Sequence, residues 1–291
     1  METIDLPSQT ALTAAAARAA HLIVDREPVI FADDLAAALL GERAGELISY
    51  HLRHGTHLVL SSARAQVICR SRFTEDHLAA CVGDGVSQYV ILGAGLDTFA
   101  YRTARTTDGP DRIFEVDHPG TQHWKREHLA AAGIGEPDRV SFVPMDFERD
   151  SLAGRLGQAG FDPARPALVS WLGVTMYLTG SAISQTLAEI GGFAPGTQLI
   201  TDYMLPPGLR DEAGASYAGL VAPAAAELGE PWLTVLAPGD MTALLEDHGF
   251  GAVEHVRQRD SIPAALWDRT DSLRPAALSV LARATVTPAT P

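Results

Sequence analysis

Short apolar runs alternate with helix-like stretches from Gly83 onward. The runs are rich in β-branched residues and lie at Tyr89–Leu92, Ile113–Val116, Val140–Val143, Ala167–Trp171, Gln198–Thr201 and Ala252–Val256. In a parallel sheet covered on both faces, the strands read as continuous apolar runs because both of their sides are buried. The pattern therefore predicts a doubly wound, Rossmann-like α/β sheet. A last run, Leu278–Val286, is expected to close this sheet as an antiparallel strand.

The first 85 residues show a helical pattern instead. Apolar positions recur at helical spacing, and Thr74 is a suitable N-cap for the last helix. The predicted helices are Ala11–Val24, Asp34–Leu40, Glu46–Ser62 and Thr74–Val82. We predict one structural domain, in which residues 1–85 form a helical cap on a core of residues 86–291. An insertion at about residues 206–232 is expected to form a lid.

Composition narrows the class of partner. The 291 residues include 22 basic and 36 acidic side chains, a formal net charge of −14. Such a charge disfavours nucleic acid and anionic membranes as partners. The two cysteines are too few for a disulfide framework and lack a metal-site spacing, so we expect no metal. The N-terminus lacks a basic signal region, and Ala11–Val24 is too short and too polar to span a membrane, which favours a cytoplasmic location.

The sharpest motif is QYVILGAGLDTFAYR at residues 88–102, in which a predicted strand runs into Gly93 and Gly95. Glycine permits a tight turn and lets a ligand approach main-chain N–H groups without a Cβ in the way. Such turns also serve purely structural ends. The position favours a binding role, because doubly wound sheets bind ligands at the carboxyl ends of their strands.

Acidic residues end the next two predicted strands. Asp117 follows Gly95 by 22 residues, the spacing at which a carboxylate accepts hydrogen bonds from ribose hydroxyls. Glu115, on the same side of the strand, is a weaker candidate for the ribose contact. The alternative for Asp117 is a structural role as a turn residue or N-cap. Asp146 ends the third strand and is expected to accept from an adenine amino group, with Phe147 beside it. Three successive strand ends thus carry residues suited to a nucleoside.

The glycine loop also indicates which nucleoside is bound. The third glycine of the dinucleotide pattern G-x-G-x-x-G is replaced by Thr98, which disfavours a pyrophosphate at that helix. Asp97 stands where a phosphate would need positive potential. A cofactor that carries an ammonium group tolerates this acid, which favours S-adenosyl-L-methionine.

The chain resembles the leucine carboxyl methyltransferase superfamily, and specifically its actinobacterial small-molecule branch. The resemblance runs from about Arg18 to the C-terminal region. Its most specific stretches are RSRFTEDHL (70–78), VILGAGLDTFAYR (90–102), FEVDHPGTQHWKREHL (114–129), VPMDF (143–147) and WLGVTMYLT (171–179).

The resemblance implies a class I methyltransferase sheet whose residues hold S-adenosyl-L-methionine. It places Gly93 and Gly95 at the methionine end, with Asp117 at the ribose and Asp146–Phe147 at the adenine. Arg70 and Arg72 resemble the family's clamp on the methionyl carboxylate, a role that suits the guanidinium fork. A solvated basic helix end is the alternative for these arginines. One departure is Leu172-Gly173-Val174, where many relatives have Glu-Gly-Val.

The acceptor is less clearly encoded. We expect O-methylation of a small molecule such as a polyketide-type metabolite. A carboxylate acceptor needs no base, whereas a hydroxyl acceptor needs one nearby. Tyr203 is the weak catalytic candidate, and Thr175, Tyr177 and Trp232 are weak candidates for the acceptor pocket, with Trp232 in the lid. The oligomeric state is left open by these residues.

Two other functions share parts of this pattern. An NAD(P)-dependent oxidoreductase would use the same fold and the same ribose carboxylate, but it would need the third glycine and a catalytic Tyr-x-x-x-Lys or similar pair. A cofactor-binding module without transfer activity is the third interpretation, which the Leu172 departure permits.

Overall fold

Among residues 8–104, 106 and 109–288, which the computed structural model describes, seven strands form one sheet. Each predicted run lies within or overlaps a strand. The strands are β1 (Gln88–Leu92), β2 (Arg112–Asp117), β3 (Val140–Pro144), β4 (Ala167–Trp171), β5 (Gln198–Met204), β6 (Phe250–Arg257) and β7 (Ser279–Val286).

The strand order is β3-β2-β1-β4-β5-β7-β6. Strands β1 to β5 pair in parallel, and β7 is inserted antiparallel between β5 and β6. The order reverses between β1 and β4, and such a switch point opens a crevice at the carboxyl ends of the strands. The doubly wound α/β fold and the antiparallel direction of β7 are confirmed. The expectation that β7 closes the sheet is wrong, because β6 pairs with its outer side and forms the edge.

Ten α-helices within the described residues surround or extend this sheet. They are α1 (Gln9–Val24), α2 (Ala36–Leu39), α3 (Ala44–His54), α4 (Leu58–Gly83), α5 (Phe99–Arg102), α6 (Pro119–Ala131), α7 (Leu152–Gln158), α8 (Gly180–Gly191), α9 (Glu212–Glu227) and α10 (Pro238–Asp247). Short 3-10 turns occur at Gly41–Arg43, Thr175–Tyr177, Pro207–Leu209, Gln258–Asp260 and Ala264–Trp267.

Two predicted helix boundaries are wrong. The stretch Glu46–Ser62 is split between α3 and α4, because His57 adopts an extended conformation and its side chain accepts from the Val59 N–H as an N-cap. Thr74 is not an N-cap: it is buried inside α4, which continues as one helix from Leu58 to Gly83. Local helix signals did not distinguish a cap threonine from a buried one.

Helices cover both faces of the sheet. Alternate residues of β1 point to opposite sides, so Val90 and Leu92 pack with α7, α8 and α10 while Tyr89 and Ile91 pack in a second apolar cluster with α1 and α6. This alternation follows from the pleat of a strand. The result is a three-layer α/β/α arrangement.

The N-terminal helices and the insertion meet above the carboxyl edge of the sheet. Helix α1 packs on α3 and α4, and the insertion contributes α9, which also packs on α4. The expected boundary at residue 85 lies between the end of α4 and the start of β1. No helix in the described part of the chain has the length and apolar character that a bilayer crossing requires.

Candidate active site

The carboxyl ends of β1, β2, β3 and β4 open into a cavity of about 360 Å3, here called the strand-tip cavity. Its size suits a cofactor or small ligand. The cavity brings together all the predicted strand-end residues: Gly93, Gly95, Asp97, Asp117, Asp146 and Phe147.

Two glycines shape the floor of the strand-tip cavity. Gly93 has φ +66° and Gly95 has φ +49°, values that side chains on L-residues rarely tolerate. A Cβ on Gly93 would lie 2.2 Å from Cγ2 of Val174. Gly93 is therefore required for packing between two strand ends, a reason that the sequence pattern alone did not supply.

Asp117 fixes the glycine loop and also faces the cavity. Its carboxylate accepts from the backbone N–H of Gly95 and from that of His118, both at 2.6 Å. Each carboxylate oxygen can accept a second bond, so capacity remains for a ligand hydroxyl. Burial raises the pKa of Asp117, and the two N–H donors oppose that rise. The N-cap alternative does not apply, because His118 caps α6.

The other two strand-end acids are held by local hydrogen bonds. Asp146 accepts from the Glu148 N–H at 3.0 Å, and the ring of Phe147 stacks on Trp171 with centroids 6.0 Å apart. Asp97 accepts from the Phe99 N–H at 2.8 Å, at the start of α5. Their side chains are thus preorganised at the cavity wall.

The structure separates the two arginines of the predicted clamp. Arg70 lines the strand-tip cavity and pairs with Asp202 at 3.2 Å. A Cβ on Gly173 would fall 2.5 Å from the Arg70 guanidinium, so the glycine after β4 leaves room for it. Arg72 lies outside the cavity lining, where it pairs with exposed Asp76 at 2.6 Å and donates to the Ile30 carbonyl. The solvated alternative therefore describes Arg72.

Acidic groups dominate the strand-tip cavity. Besides the three strand-end aspartates, Glu75 and Glu230 line it, against Arg18 and Arg70. Burial raises the pKa of Glu75 to about 7, although its ion pair with Arg102 acts against the rise. Glu75 was missed from the sequence. It lies in the RSRFTEDHL motif, on the same face of α4 as Arg70, Ser71 and Thr74. This helical spacing relative to Arg70 is the sequence signal that could have identified it.

A second cavity of about 510 Å3 adjoins the first, and we call it the helical cavity. Its walls come from α1, α3, α4 and α9, and most of its lining is apolar. Tyr177 and Trp232, two of the candidates for the acceptor pocket, line it. Thr10, Arg70, Tyr177 and Glu230 line both cavities and so mark their junction.

The insertion and the N-terminal helix touch at this junction. Glu230 accepts from the Thr10 N–H at 3.1 Å and from the Thr10 hydroxyl at 2.5 Å, and Thr10 also bonds to the Tyr177 hydroxyl at 3.2 Å. The insertion thus contacts α1 at the junction of the two cavities, and its role as a lid stays a prediction.

Three expected side chains do not reach either cavity. Thr175 is buried and donates to the Asp202 carbonyl at 2.7 Å. Tyr203 lies in the core on the other face of the sheet, where its hydroxyl bonds to Nδ1 of His255 at 2.9 Å. Glu115 is buried against Lys125, with a carboxylate oxygen 2.6 Å from Nζ. The structure corrects the placement of all three.

The family is decided by comparison with known proteins. The family model described as leucine carboxyl methyltransferase matches residues 11–191. A Bacillus subtilis relative, YktD, is 30% identical over 290 residues, with 91% of this chain and 93% of the relative covered. The chain belongs to the leucine carboxyl methyltransferase family. A Mycolicibacterium smegmatis relative is 33% identical over 225 residues, with 73% of each chain covered.

Family membership fixes the type of enzyme and its cofactor. Both relatives are assigned as S-adenosyl-L-methionine-dependent methyltransferases. This protein is accordingly a methyltransferase that uses S-adenosyl-L-methionine, and the oxidoreductase and inactive-module alternatives are set aside. The predicted resemblance is confirmed.

Solved structures agree on the fold of this methyltransferase. A Thermobifida fusca protein assigned as a methyltransferase has a TM-score of 0.61 at 18% identity, covering 98% of this chain and 96% of its own. A DUF574 family protein of Streptomyces avermitilis has a TM-score of 0.65 at 14% identity, covering 98% and 100%. At these identities, the likeness supports the fold alone.

Proposed function

We propose that this methyltransferase esterifies the carboxylate of an elongated, apolar small molecule. The main support for this proposal is that the two cavities are joined. A polar cavity suited to S-adenosyl-L-methionine opens at Arg70 and Tyr177 into an apolar one of about 510 Å3. Donor and acceptor would therefore meet at one point.

The strand-tip cavity has side chains that suit each part of this cofactor. Asp117 would accept from the ribose hydroxyls, and Asp146 with Phe147 would hold the adenine. Arg70 would pair with the methionyl carboxylate, for which its fork geometry is suited. The nearby acids Glu75, Asp97 and Glu230 favour the ammonium and sulfonium charges of the cofactor and disfavour a pyrophosphate. Leu172 lines the same cavity.

The helical cavity favours an apolar acceptor body. Its wall includes Val59, Leu60, Met176, Met204 and Val221, with further aliphatic and aromatic side chains from α9 and the segment after it. Removing apolar surface from water is favourable by roughly 25 cal/mol per Å2. An acceptor rich in charge, such as a nucleotide or peptide, would lose hydration there without gaining partners.

The choice of a carboxylate follows from the bases available. His51 and His57 line the helical cavity, but Nδ1 of His51 faces Arg64 at 3.3 Å and Nδ1 of His57 caps α4. Glu230 already accepts two hydrogen bonds from Thr10, both on Oε2. A hydroxyl acceptor needs a base to gain nucleophilicity, whereas a carboxylate is already anionic.

The protein's contribution to transfer is then largely geometric. Bound S-adenosyl-L-methionine supplies an electrophilic methyl group on a sulfonium. Holding two reactants in line can lower a barrier by about 7–11 kcal/mol in favourable cases. The contacts among Thr10, Tyr177 and Glu230 hold the insertion against α1 beside the junction.

Matched acceptors test the proposal. Dodecanoic acid and dodecanol share an apolar body, and tritium transfer from labelled cofactor can be measured for each. We expect methyl ester from the acid and no ether from the alcohol. Glu230→Gln should still methylate the acid, because no base is required. Methylation of the alcohol by wild type, abolished in Glu230→Gln, would instead assign Glu230 as a base for hydroxyl acceptors.

A pair of tryptophan variants locates the acceptor. Val221→Trp fills the helical cavity and should block ester formation while S-adenosylhomocysteine still binds. Leu209→Trp, in the same insertion but exposed and outside both cavities, is the control and should behave as wild type. Normal ester formation by Val221→Trp would place the acceptor elsewhere.

A further inference from the structure

A buried histidine lies in the wall of the helical cavity, away from the junction. His51 is only 6% exposed and belongs to α3. Its ring contacts Arg64 of α4, whereas the junction is marked by Arg70 further along that helix. The cavity wall on α4 runs from Val59 to Arg70, which is about 16 Å at about 1.5 Å per residue. Arg64 precedes Arg70 by six residues, about 9 Å along the helix, so His51 lies away from the junction with the strand-tip cavity.

A chain of buried hydrogen bonds determines how His51 is oriented. The Ile30 N–H donates to Nε2 of His21 at 3.1 Å, so the neutral ring of His21 carries its proton on Nδ1. That Nδ1–H donates to Asp25 at 3.0 Å. Asp25 also accepts two bonds from Arg64, both at 2.8 Å.

The chain ends at the cavity. Arg64, which has N–H donors and no acceptor, also donates to the Gly55 carbonyl at 2.9 Å and faces Nδ1 of His51 at 3.3 Å. Nδ1 of His51 must therefore be the acceptor, which leaves the proton of the neutral ring on Nε2. Within the described residues, this Nε2–H has no hydrogen-bond partner.

From this geometry we infer that His51 is a specificity-determining residue, which donates a hydrogen bond to an uncharged oxygen at the end of the acceptor remote from the methylated carboxylate. The inference rests on the proposed function for the position of the carboxylate. The ligand class is an apolar acid with a distal hydroxyl, carbonyl or ether oxygen. A donor in a cavity wall that has no partner among the described residues discriminates between ligands that do and do not supply an acceptor.

The charge state of His51 agrees with this role. Burial and the Arg64 guanidinium lower the pKa of His51 to about 4, while Asp25 acts in the opposite direction. The ring is therefore neutral at physiological pH and offers a donor without a charge. Among the described residues that line the helical cavity, the other titratable ones are Tyr50, His57, Arg70, Tyr177, Tyr217 and Glu230.

The test compares ω-hydroxydodecanoic acid with dodecanoic acid, which differ in one distal oxygen. Binding to the complex with S-adenosylhomocysteine is measured by calorimetry, so that no turnover is needed. For wild type we expect the hydroxy acid to bind about fivefold more tightly, the value of one neutral hydrogen bond. His51→Phe should lose this preference, and His51→Gln, which keeps an N–H near the Nε2 position, should recover part of it.

His54→Phe is the matched control, because His54 lies on the same helix, is exposed and is outside the cavity lining. It should keep the full preference. An unchanged preference in a folded His51→Phe, or no preference in wild type, would overturn the inference. If the hydroxy acid binds with this dependence on His51 but is not esterified, the inference stands and the proposed function fails. If the acids are esterified but the preference for the hydroxy acid does not depend on His51, the proposed function stands and the inference fails.

Discussion

The strand-tip cavity and the helical cavity meet at Arg70 but differ in how they are built and charged. The first lies at the carboxyl ends of β1 to β4, where Asp97, Asp117 and Asp146 accept hydrogen bonds from backbone N–H groups, and α1 and α4 complete its wall. The second is formed by side chains from α1, α3, α4 and α9, which are distant in the sequence. One cavity presents charges to a charged cofactor, and the other presents apolar surface to its acceptor.

The difference extends to their response to pH. In the strand-tip cavity, the pKa of Glu75 is raised to about 7, so its charge changes near neutrality. In the helical cavity, the pKa of His51 is lowered to about 4, so the histidine stays neutral. Both shifts have burial as their largest cause, but burial favours protonated Glu75 and deprotonated His51, the neutral form of each.

The largest expected effect concerns Glu75. A carboxyl whose pKa rises from 4.5 to about 7 on folding stabilises the protein below pH 4.5, and this contribution is lost as pH rises through 7. The free energy of unfolding of wild type should therefore fall relative to Glu75→Gln by about 3 kcal/mol across this window. Urea unfolding at a series of pH values measures the difference.

The neighbouring Ser71→Ala provides the control for Glu75→Gln. Ser71 lines the same cavity on α4 but does not titrate, so this variant should follow the wild-type pH profile. Parallel profiles for wild type and Glu75→Gln would show that Glu75 titrates like a carboxyl in water. The contrast in charge response between the two cavities would then be lost.

A smaller effect is expected at the junction of the cavities. Arg70→Ala should weaken S-adenosylhomocysteine binding by about thirtyfold, since hydrogen bonds to charged groups contribute about 1.5–3 kcal/mol. Arg72→Ala, two residues away and outside the cavity, should change it by less than about twofold. Calorimetric titration measures both dissociation constants.

Loss of folding has to be separated from loss of binding in the Arg70 variants. Arg70→Ala leaves buried Asp202 without its ion pair. Arg70→Lys keeps a positive charge beside Asp202 but lacks the fork, so it should fold and bind with intermediate affinity. Equal losses in Arg70→Ala and Arg72→Ala would remove the distinction that the structure draws between these arginines.

The strand-tip cavity was largely predictable because its residues follow short apolar runs. A buried parallel strand has a clear sequence pattern, and the carboxyl ends of such strands lie at one edge. Gly93, Gly95, Asp97, Asp117, Asp146 and Phe147 were therefore brought together by topology. The contact that makes Gly93 necessary, with Val174, depends on how two loops pack, and no local pattern encodes it.

The helical cavity was much less predictable. Its wall depends on where α3 ends and α4 begins, and the sequence pattern placed Gly55 and His57 inside one continuous helix. His51 lies in α3, before that break, and its ring contacts Arg64 of α4, after it. Its hydrogen bonds connect residues of α1, α3 and α4, and the packing of these helices is a tertiary property that helical periodicity does not specify.

Tyr203 was expected at the active site because it lies near the end of a strand, but the alternation of side chains along β5 places it in the core. Strand β5 continues to Met204, and Asp202 already faces the junction, where it accepts from the Gly173 N–H at 2.5 Å and pairs with Arg70. Successive side chains on a strand point to opposite faces, so Tyr203 must point away. It bonds to His255, whose second ring nitrogen bonds to Thr242 at 2.8 Å.

The smallest expected effect follows from this placement. Tyr203→Phe removes one buried hydrogen bond and should lower the free energy of unfolding by about 1 kcal/mol. Neither cavity loses a lining atom, so S-adenosylhomocysteine and ω-hydroxydodecanoic acid should bind as they do to wild type. Tyr177→Phe is the matched comparison, because Tyr177 lines both cavities and bonds to Thr10. If Tyr203→Phe impaired ligand binding as much as Tyr177→Phe, the two faces of β5 would not be functionally separate, and Tyr203 would have to be returned to the active site.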